Sequence, residues 1–515
     1  MKASFFARRS RIPGLSNGLL IMMIVCFLVP FALRGSKMVT PRRNFDILKI
    51  VGWTSVIVPF AVYHWVVGPY TEVPSDFWSH LGAVKEQLSI VERGSFSGLS
   101  DNWVDAIIHG TAVPFFHGVI ADNLGVPPIK LVRSATLVSS VIILTTIYWF
   151  TLRITKNLPL SNWMSVGAAC VAVVLFVVAY GVSSFSYIRY YAYFPHLLNL
   201  SLMFIIVGLY VDYLGHRETN SYILAVIAML LVTVLLINQQ ELLFVLVLLL
   251  SLSIWRFARM TISKEACDKT LLIRARVMGS LATAASLVGI GAGFLMFGSG
   301  DWGRPHVIDL GHVSEIFRGL PIANPSLRFW DTLGLHGVVI YCWYLYHWGK
   351  FIRADYINVA MLSPLITLLN PIFVLWFLHI GSWDALWRFA YLMPVPIVGG
   401  ILVGLTVQDL IKWKGHPKSL PGCLFLVAAV VTLMPFDTEL ISNDNSRLPS
   451  LVRLEQSNGA LLWGDLIEAV EVIEGKRILI TDSITNYVLS SATKHGGKWE
   501  PKETWQQRRN LFRGD

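Results

Sequence analysis

The sequence is poor in charge. Asp, Glu, Lys and Arg make up 14% of its 515 residues, where soluble chains carry about 25%, and the mean hydropathy is +0.59. That shortage excludes an ordinary soluble globule. Cysteine is scarce as well. Of Cys26, Cys170, Cys267, Cys342 and Cys423, four lie in apolar segments and Cys267 lies in a basic loop. No pair has CxxC or other ligand spacing, so they read as core-filling residues, with neither a disulfide nor a zinc site expected. Walker and HExxH patterns are missing, and no nucleotide-sugar site is visible, which removes two of the usual sequence marks of nucleotide- or metal-dependent chemistry. Internal repeats are not apparent either, which weighs against a transporter built from them.

Long apolar runs are what the chain has in abundance. Windows long enough to cross about 30 Å of hydrocarbon as a helix recur along it. Candidate spans fall at 18–34, 48–68, 134–152, 161–181, 199–214, 221–238, 241–256, 277–298, 332–348, 357–380, 389–408 and 420–435. The expected fold is an all-α polytopic membrane protein of about twelve transmembrane helices. The first apolar segment follows Lys2, Arg8, Arg9 and Arg11 as a signal sequence would, but it lacks a small-residue cleavage pattern and reads as retained. Both of its flanks are basic. Either the N-terminus is translocated or this segment is re-entrant or interfacial.

The loops divide into two kinds. Those at 34–49, 153–156, 256–276, 350–353 and 412–418 are basic and fall on one side if every span from the second onward crosses. By the positive-inside rule that side is the cytoplasm. The net charge of +10 is thereby assigned to loops rather than to nucleic-acid binding, with anionic lipid head groups or a pyrophosphate-like substrate as further sources. The opposite loops, 69–133, 182–198, 238–241, 299–331 and 381–388, carry carboxylates, histidines, tryptophans and tyrosines. An aromatic belt accounts for the rings but not for the Asp, Arg and His beside them, so the working site is expected to face outward. Two domains follow: 1–436 in the membrane, with the large external loop 69–133 bearing interfacial helices, and 437–515 as a small extracytoplasmic α/β appendage. In that appendage LLWGDLIEAVEVIEG has helical spacing and KRILITD reads as a strand.

Several residues stand out within the external segments. Asp76, in PSDFWSH, follows a span beside Trp78 and His80. It suits a helix cap and equally a general base at a cavity mouth. Asp101, Asp105 and His109 share a helical face. They read as a solvated face of an interfacial helix, with Asp101 and Asp105 as backup bases. Arg189 sits among Tyr187, Tyr190, Tyr191 and Tyr193, at a depth where arginine is costly unless paired or hydrated. Its guanidinium fork matches lipid phosphate, and snorkelling to head groups explains it equally well. His196, nearby, reads as a satisfied interface histidine. The polar run NQQE at 238–241 interrupts two apolar segments. Glu241 cannot face lipid cheaply, so the run is expected to be a tight turn whose side chains enter a cavity or an interhelical polar cluster. There Gln240 and Glu241 can bond sugar hydroxyls. The loop 299–331 carries Arg304 and Arg318 as anion partners, and its His, Asp and Glu residues have no standard metal spacing. Arg388, in WDALWRF, stands at the mouth of a span.

A span followed by a large external loop with an Asp near its start resembles the GT-C superfamily of integral-membrane glycosyltransferases, which use polyprenyl-phosphate-linked sugars. The resemblance covers the topology of most of the chain and rests on one motif position, Asp76. The chain departs from the pattern in carrying an extra apolar segment ahead of that span. The resemblance implies Asp76 as catalytic base, and it places Arg388 where an arginine before a late span meets the donor phosphate. ITDSITNYVLSSATKH at 480–495 is similar to a C-terminal segment of bacterial membrane glycosyltransferases, including arabinofuranosyltransferase-like ones. Asp482, Thr485, Tyr487 and His495 hold its places, and Asp482, Tyr487 and His495 become candidate sugar or acceptor contacts together with His80.

The expected activity is inverting transfer of a sugar from a polyprenyl-phosphate donor to a hydroxyl of a periplasmic glycan or protein. Arg189, Arg304 and Arg388 would hold the departing phosphate. No cofactor and no nucleic-acid partner are expected, no metal is indicated, and the expected location is a bacterial inner membrane with the site facing the periplasm. Two rival readings stay open. An O-antigen polymerase or ligase would depend on arginine and histidine in 299–331, and a non-catalytic lipid-linked glycan transporter would show broken helices near the midplane.

Overall fold

The computed structural model describes residues 41–67, 81–84, 112–125, 128–178, 195–215, 222–262, 313–317, 320–323, 330–352, 354–380, 383–412 and 420–433, with positions 470 and 472. The described part is helical, as the apolar runs predict. Its helices are α1 Pro41–Val67, α2 Ala112–Leu124, α3 Pro128–Thr155, α4 Asn162–Val178, α5 Pro195–Gly215, α6 Tyr222–Ile237 and α7 Gln239–Ile262. They continue with α8 Trp330–Tyr346, α9 Asp355–Met361, α10 Pro371–Ile380, α11 Val395–Ile411 and α12 Leu420–Leu433. Four described segments are long and apolar enough to cross a membrane: Pro128–Thr155, His196–Leu214, Glu241–Arg259 and Arg388–Ile411. Shorter apolar helices cover Asn162–Val177, Ile223–Ile237, Leu335–Tyr346 and Leu420–Thr432. The expected spans at 18–34 and 277–298 lie outside the described residues, as does the appendage apart from Val470 and Val472.

Three features add detail to the expected spans and loops. The segment 357–380 is not one helix. It breaks into α9, a single turn at Ser363–Ile366, and α10. Pro364 and Pro371 each lack an N–H, and Asn370 caps α10, its Oδ1 accepting from Ile372 N (3.0 Å). The segment 389–408 likewise divides, into a 3-10 helix Trp383–Leu392 and α11, at Met393–Pro394. The loop 299–331 contains an antiparallel hairpin, β1 Val313–Phe317 with β2 Leu320–Ala323, pairing Val313 with Ala323 and irregular between Glu315 and Phe317. β2 packs on α10.

The tightest helix pair is α4 with α11, and small residues make it so. A Cβ on Gly400 would come within 2.3 Å of the Ala168 carbonyl oxygen and 2.7 Å of Ala172 N, and one on Gly404 within 3.3 Å of Ala168 Cβ. Glycines four apart on one face let two backbones touch, which in an apolar solvent supplies packing that hydrophobicity cannot. At the start of α3, Gly125 takes a φ of 63° and ends α2, after which Pro128 opens α3 without wasting a donor.

Side-chain pairs fix the direction of each helix. Tyr148 on α3 donates to the Lys49 carbonyl at the start of α1 (2.7 Å), while Arg133 at the other end of α3 lies over Trp65 near the end of α1 (5.8 Å). These two helices are therefore antiparallel. His196 meets Glu241 and Tyr210 meets Ser253, so α5 and α7 run parallel and α6 returns between them. At one end of the bundle lie Arg153 paired with Asp212, Arg256 and Arg259 with Asp355, and Lys350 with Asp409. Gln408 closes the same end by accepting from Ser161 N (2.8 Å) and donating to the Pro159 carbonyl. Arg153, Arg256, Arg259 and Lys350, from the basic segments 153–156, 256–276 and 350–353, thus gather at one end, as the charge pattern requires of loops sharing a face.

Candidate functional site

Opposite the basic end, α5 begins, α6 ends and α7 begins. A single residue outside the helices, Asn238, separates α6 from α7, its N–H still bonded to the Val234 carbonyl (2.9 Å). So tight a turn brings the polar run together with the first turn of α5. His196 Nδ1 contacts Glu241 Oε1 and lies 3.3 Å from the Asn238 amide. Asn199, one turn along α5 on the same face, donates to the carbonyls of Val234 and Asn238, each at 3.4 Å. Glu241 is 9% exposed and Asn199 1%. Four polar side chains, from α5, α7 and the turn before α7, therefore share one site, Asn199 and Glu241 buried and His196 and Asn238 half-buried.

Two acceptors in this cluster are unmet. Glu241 Oε2 and Asn199 Oδ1 are both buried without a hydrogen-bond partner among the described residues. A buried acceptor without a donor costs about 1–3 kcal/mol, and more when it is charged. The helix ends partly account for a carboxylate here. Glu241 lies in the first turn of α7, where unpaired N–H groups and the positive end of the helix dipole favour negative charge.

The 3-10 helix Trp383–Leu392 packs beside this corner. Phe389 is fully buried and meets Phe244, one turn beyond Glu241, edge to face with centroids 4.4 Å apart. It also contacts Phe373 (4.9 Å) and Phe377 (5.1 Å) on α10. These rings fix the segment that carries the half-buried Arg388 against the start of α7.

The fold therefore brings Glu241 and Arg388 to one end of the bundle. Gln240 sits on α7 with its side chain outside the described residues, and Asp76, His80, Asp101, Asp105, Arg189, Arg304, Asp482, Tyr487 and His495 also lie outside them. Residues 81–84, just after PSDFWSH, are helical, with Leu81 and Val84 buried. His196 joins the cluster as the partner of Glu241. Asn199 was not singled out by its sequence, although a lone amide three residues past His196 in an apolar run was the available signal. His117 on α2 was missed as well. It is 8% exposed, and its Nε2 donates to the Pro128 carbonyl (2.8 Å). Burial pulls its pKa below 6.5, and the carbonyl contact opposes that only in part.

Among the described residues no three His, Cys, Asp or Glu gather as metal ligands, and Cys170, Cys342 and Cys423 are free thiols. No known family model matches the chain, and no characterised protein matches it in sequence.

Proposed function

We propose that the chain is a membrane glycosyltransferase of the GT-C type, moving a sugar from a polyprenyl-phosphate donor to an acceptor hydroxyl at an outward-facing, periplasmic site in a bacterial inner membrane. The observation that carries this reading is the segregation of the bundle's two ends. One holds arginine–aspartate and lysine–aspartate pairs, which suits a cytoplasmic face. The other holds the His196–Asn199–Asn238–Glu241 cluster, with Asn199 and Glu241 buried, beside the segment bearing Arg388. Hydroxyl-bonding groups next to an arginine match the two halves of a sugar phosphate.

In this mechanism Arg388, with Arg189 and Arg304, neutralises charge developing on the leaving phosphate. Asp76 removes the acceptor proton, with Asp101 or Asp105 as the alternative base. Gln240 and Glu241 orient sugar hydroxyls, and His80, Asp482, Tyr487 and His495 extend the acceptor side. The test is transfer by purified protein from a panel of synthetic polyprenyl-phosphate sugars. Loss of transfer in both Asp76→Asn and Arg388→Ala, in protein that keeps wild-type thermal stability, supports the reading. Undiminished transfer in Asp76→Asn removes that base.

A second reading, a transporter of lipid-linked glycan, draws on the broken segment Asp355–Ile380, since discontinuous helices line transport sites. Substrate-dependent flux in proteoliposomes without transfer would favour it.

A further inference from the structure

We propose that the corner formed by α5, α6 and α7 is a binding site for a monovalent metal cation of the sodium type, held by Glu241 Oε2 and Asn199 Oδ1. The inference does not rest on glycosyl transfer, and it gives the ion, rather than a sugar hydroxyl, the free oxygen of Glu241. Both oxygens are buried acceptors without a partner among the described residues, on residues at least nine-tenths buried. They belong to one connected cluster, because Asn199 bonds the Asn238 carbonyl and the Asn238 amide lies beside His196, which contacts Glu241. What these two oxygens lack is a partner, and a coordinated cation serves as one for both.

Three features select the kind of cation. The unmet atoms are a carboxylate and an amide oxygen, hard donors that suit alkali and alkaline-earth ions rather than zinc or copper. The cluster carries one carboxylate, so a single positive charge balances it, whereas a divalent ion would leave a net charge in apolar surroundings. The corner also receives the C-terminus of α6, whose last carbonyls have no helical partner and whose dipole ends negative. The carbonyls of Val234 and Asn238 already turn toward Asn199, with long contacts of 3.4 Å. Helix ends and carboxylates meeting within a membrane bundle are where such ions are held.

The test uses the full-length protein purified in detergent. Its thermal midpoint is followed as NaCl replaces choline chloride at constant ionic strength and fixed pH. A saturable rise is expected with Na+ in the wild type. It is expected to vanish in Glu241→Gln and in Asn199→Ala and to persist in Asp409→Asn at the opposite end. Should the two cluster variants fail to fold, saturable 22Na+ binding to wild-type protein, displaced by unlabelled Na+ and not by choline, replaces them. The proposal is overturned if Na+ neither stabilises nor binds saturably, if Glu241→Gln responds as the wild type does, or if Ca2+ stabilises where Na+ has no effect.

Discussion

Phe389 meets Phe244 edge to face at 4.4 Å, and this contact seats the arginine-bearing 3-10 helix against the start of α7. Arginine is not held in place by its own charge alone. The neighbouring ring sets the segment's position through packing with Phe244, Phe373 and Phe377. Phe389→Ala is expected to cost about 3–5 kcal/mol as a buried aromatic truncation. Phe389→Leu, which keeps much of the volume, is expected to cost less and to weaken whatever Arg388 binds. The check is a thermal midpoint for both variants beside an affinity for a polyprenyl-phosphate sugar. Unchanged affinity in a folded Phe389→Leu protein would separate Arg388 from the site.

Gly400 has no room for a side chain, because its Cβ would meet backbone atoms of α4. Backbone cannot rotate aside as a side-chain tip can. Gly400→Val is therefore expected to lose at least the about 1–3 kcal/mol typical of overpacking, and more than Gly404→Ala, whose nearest neighbours stand at 3.3 Å. Thermal unfolding of the two variants in detergent decides the order.

Asp355 bridges α7 and α9, accepting from Arg256 (2.9 Å) with Arg259 at 2.6 Å. Burial nevertheless lifts its carboxyl from 3.8 to about 6, with Arg256 opposing. The folded state thus holds this proton more tightly than the unfolded chain does. The stabilisation is complete below pH 4 and is lost as pH rises through about 6. Subtracting the Asp355→Asn profile from the wild-type profile is expected to leave a fall between pH 4 and 6 and a flat line above. A difference rising with pH would contradict it.

His117 works in the opposite sense. Its pKa is lowered by burial, so the unfolded chain takes up a proton near pH 6.5 while the folded site resists it. Its stabilising contribution is full above 6.5 and declines as pH falls below it. His117→Gln keeps a donor for the Pro128 carbonyl and removes the titration. The wild type is expected to lose thermal stability relative to this variant between pH 7 and 5.5.

The apolar runs revealed the helices because a membrane-length stretch of Leu, Val and Ile has few other folded forms. The helix breaks were less visible. Pro364 and Pro371 announce themselves, yet hydropathy stays high through 357–380, and only backbone hydrogen bonding decides whether such a run is one helix or three. The NQQE run pointed to a buried polar cluster because burying a carboxylate demands company. Which company it keeps could not be read. His196 and Asn199 lie more than forty residues earlier in the chain, and nothing local tells that α5 runs parallel to α7. Arg388 reached the same corner through Phe389, a contact that spacing along the chain does not encode.

The one-residue turn at Asn238 also bears on how the chain is assembled. α6 and α7 cannot separate at that apex, so in a bilayer they enter as a hairpin with Asn238 and Glu241 at its leading tip. His196 and Asn199 are synthesised first, on α5. The polar tip therefore arrives to find its partners already in place, and a chain with α5 displaced would carry an uncompensated carboxylate into the membrane.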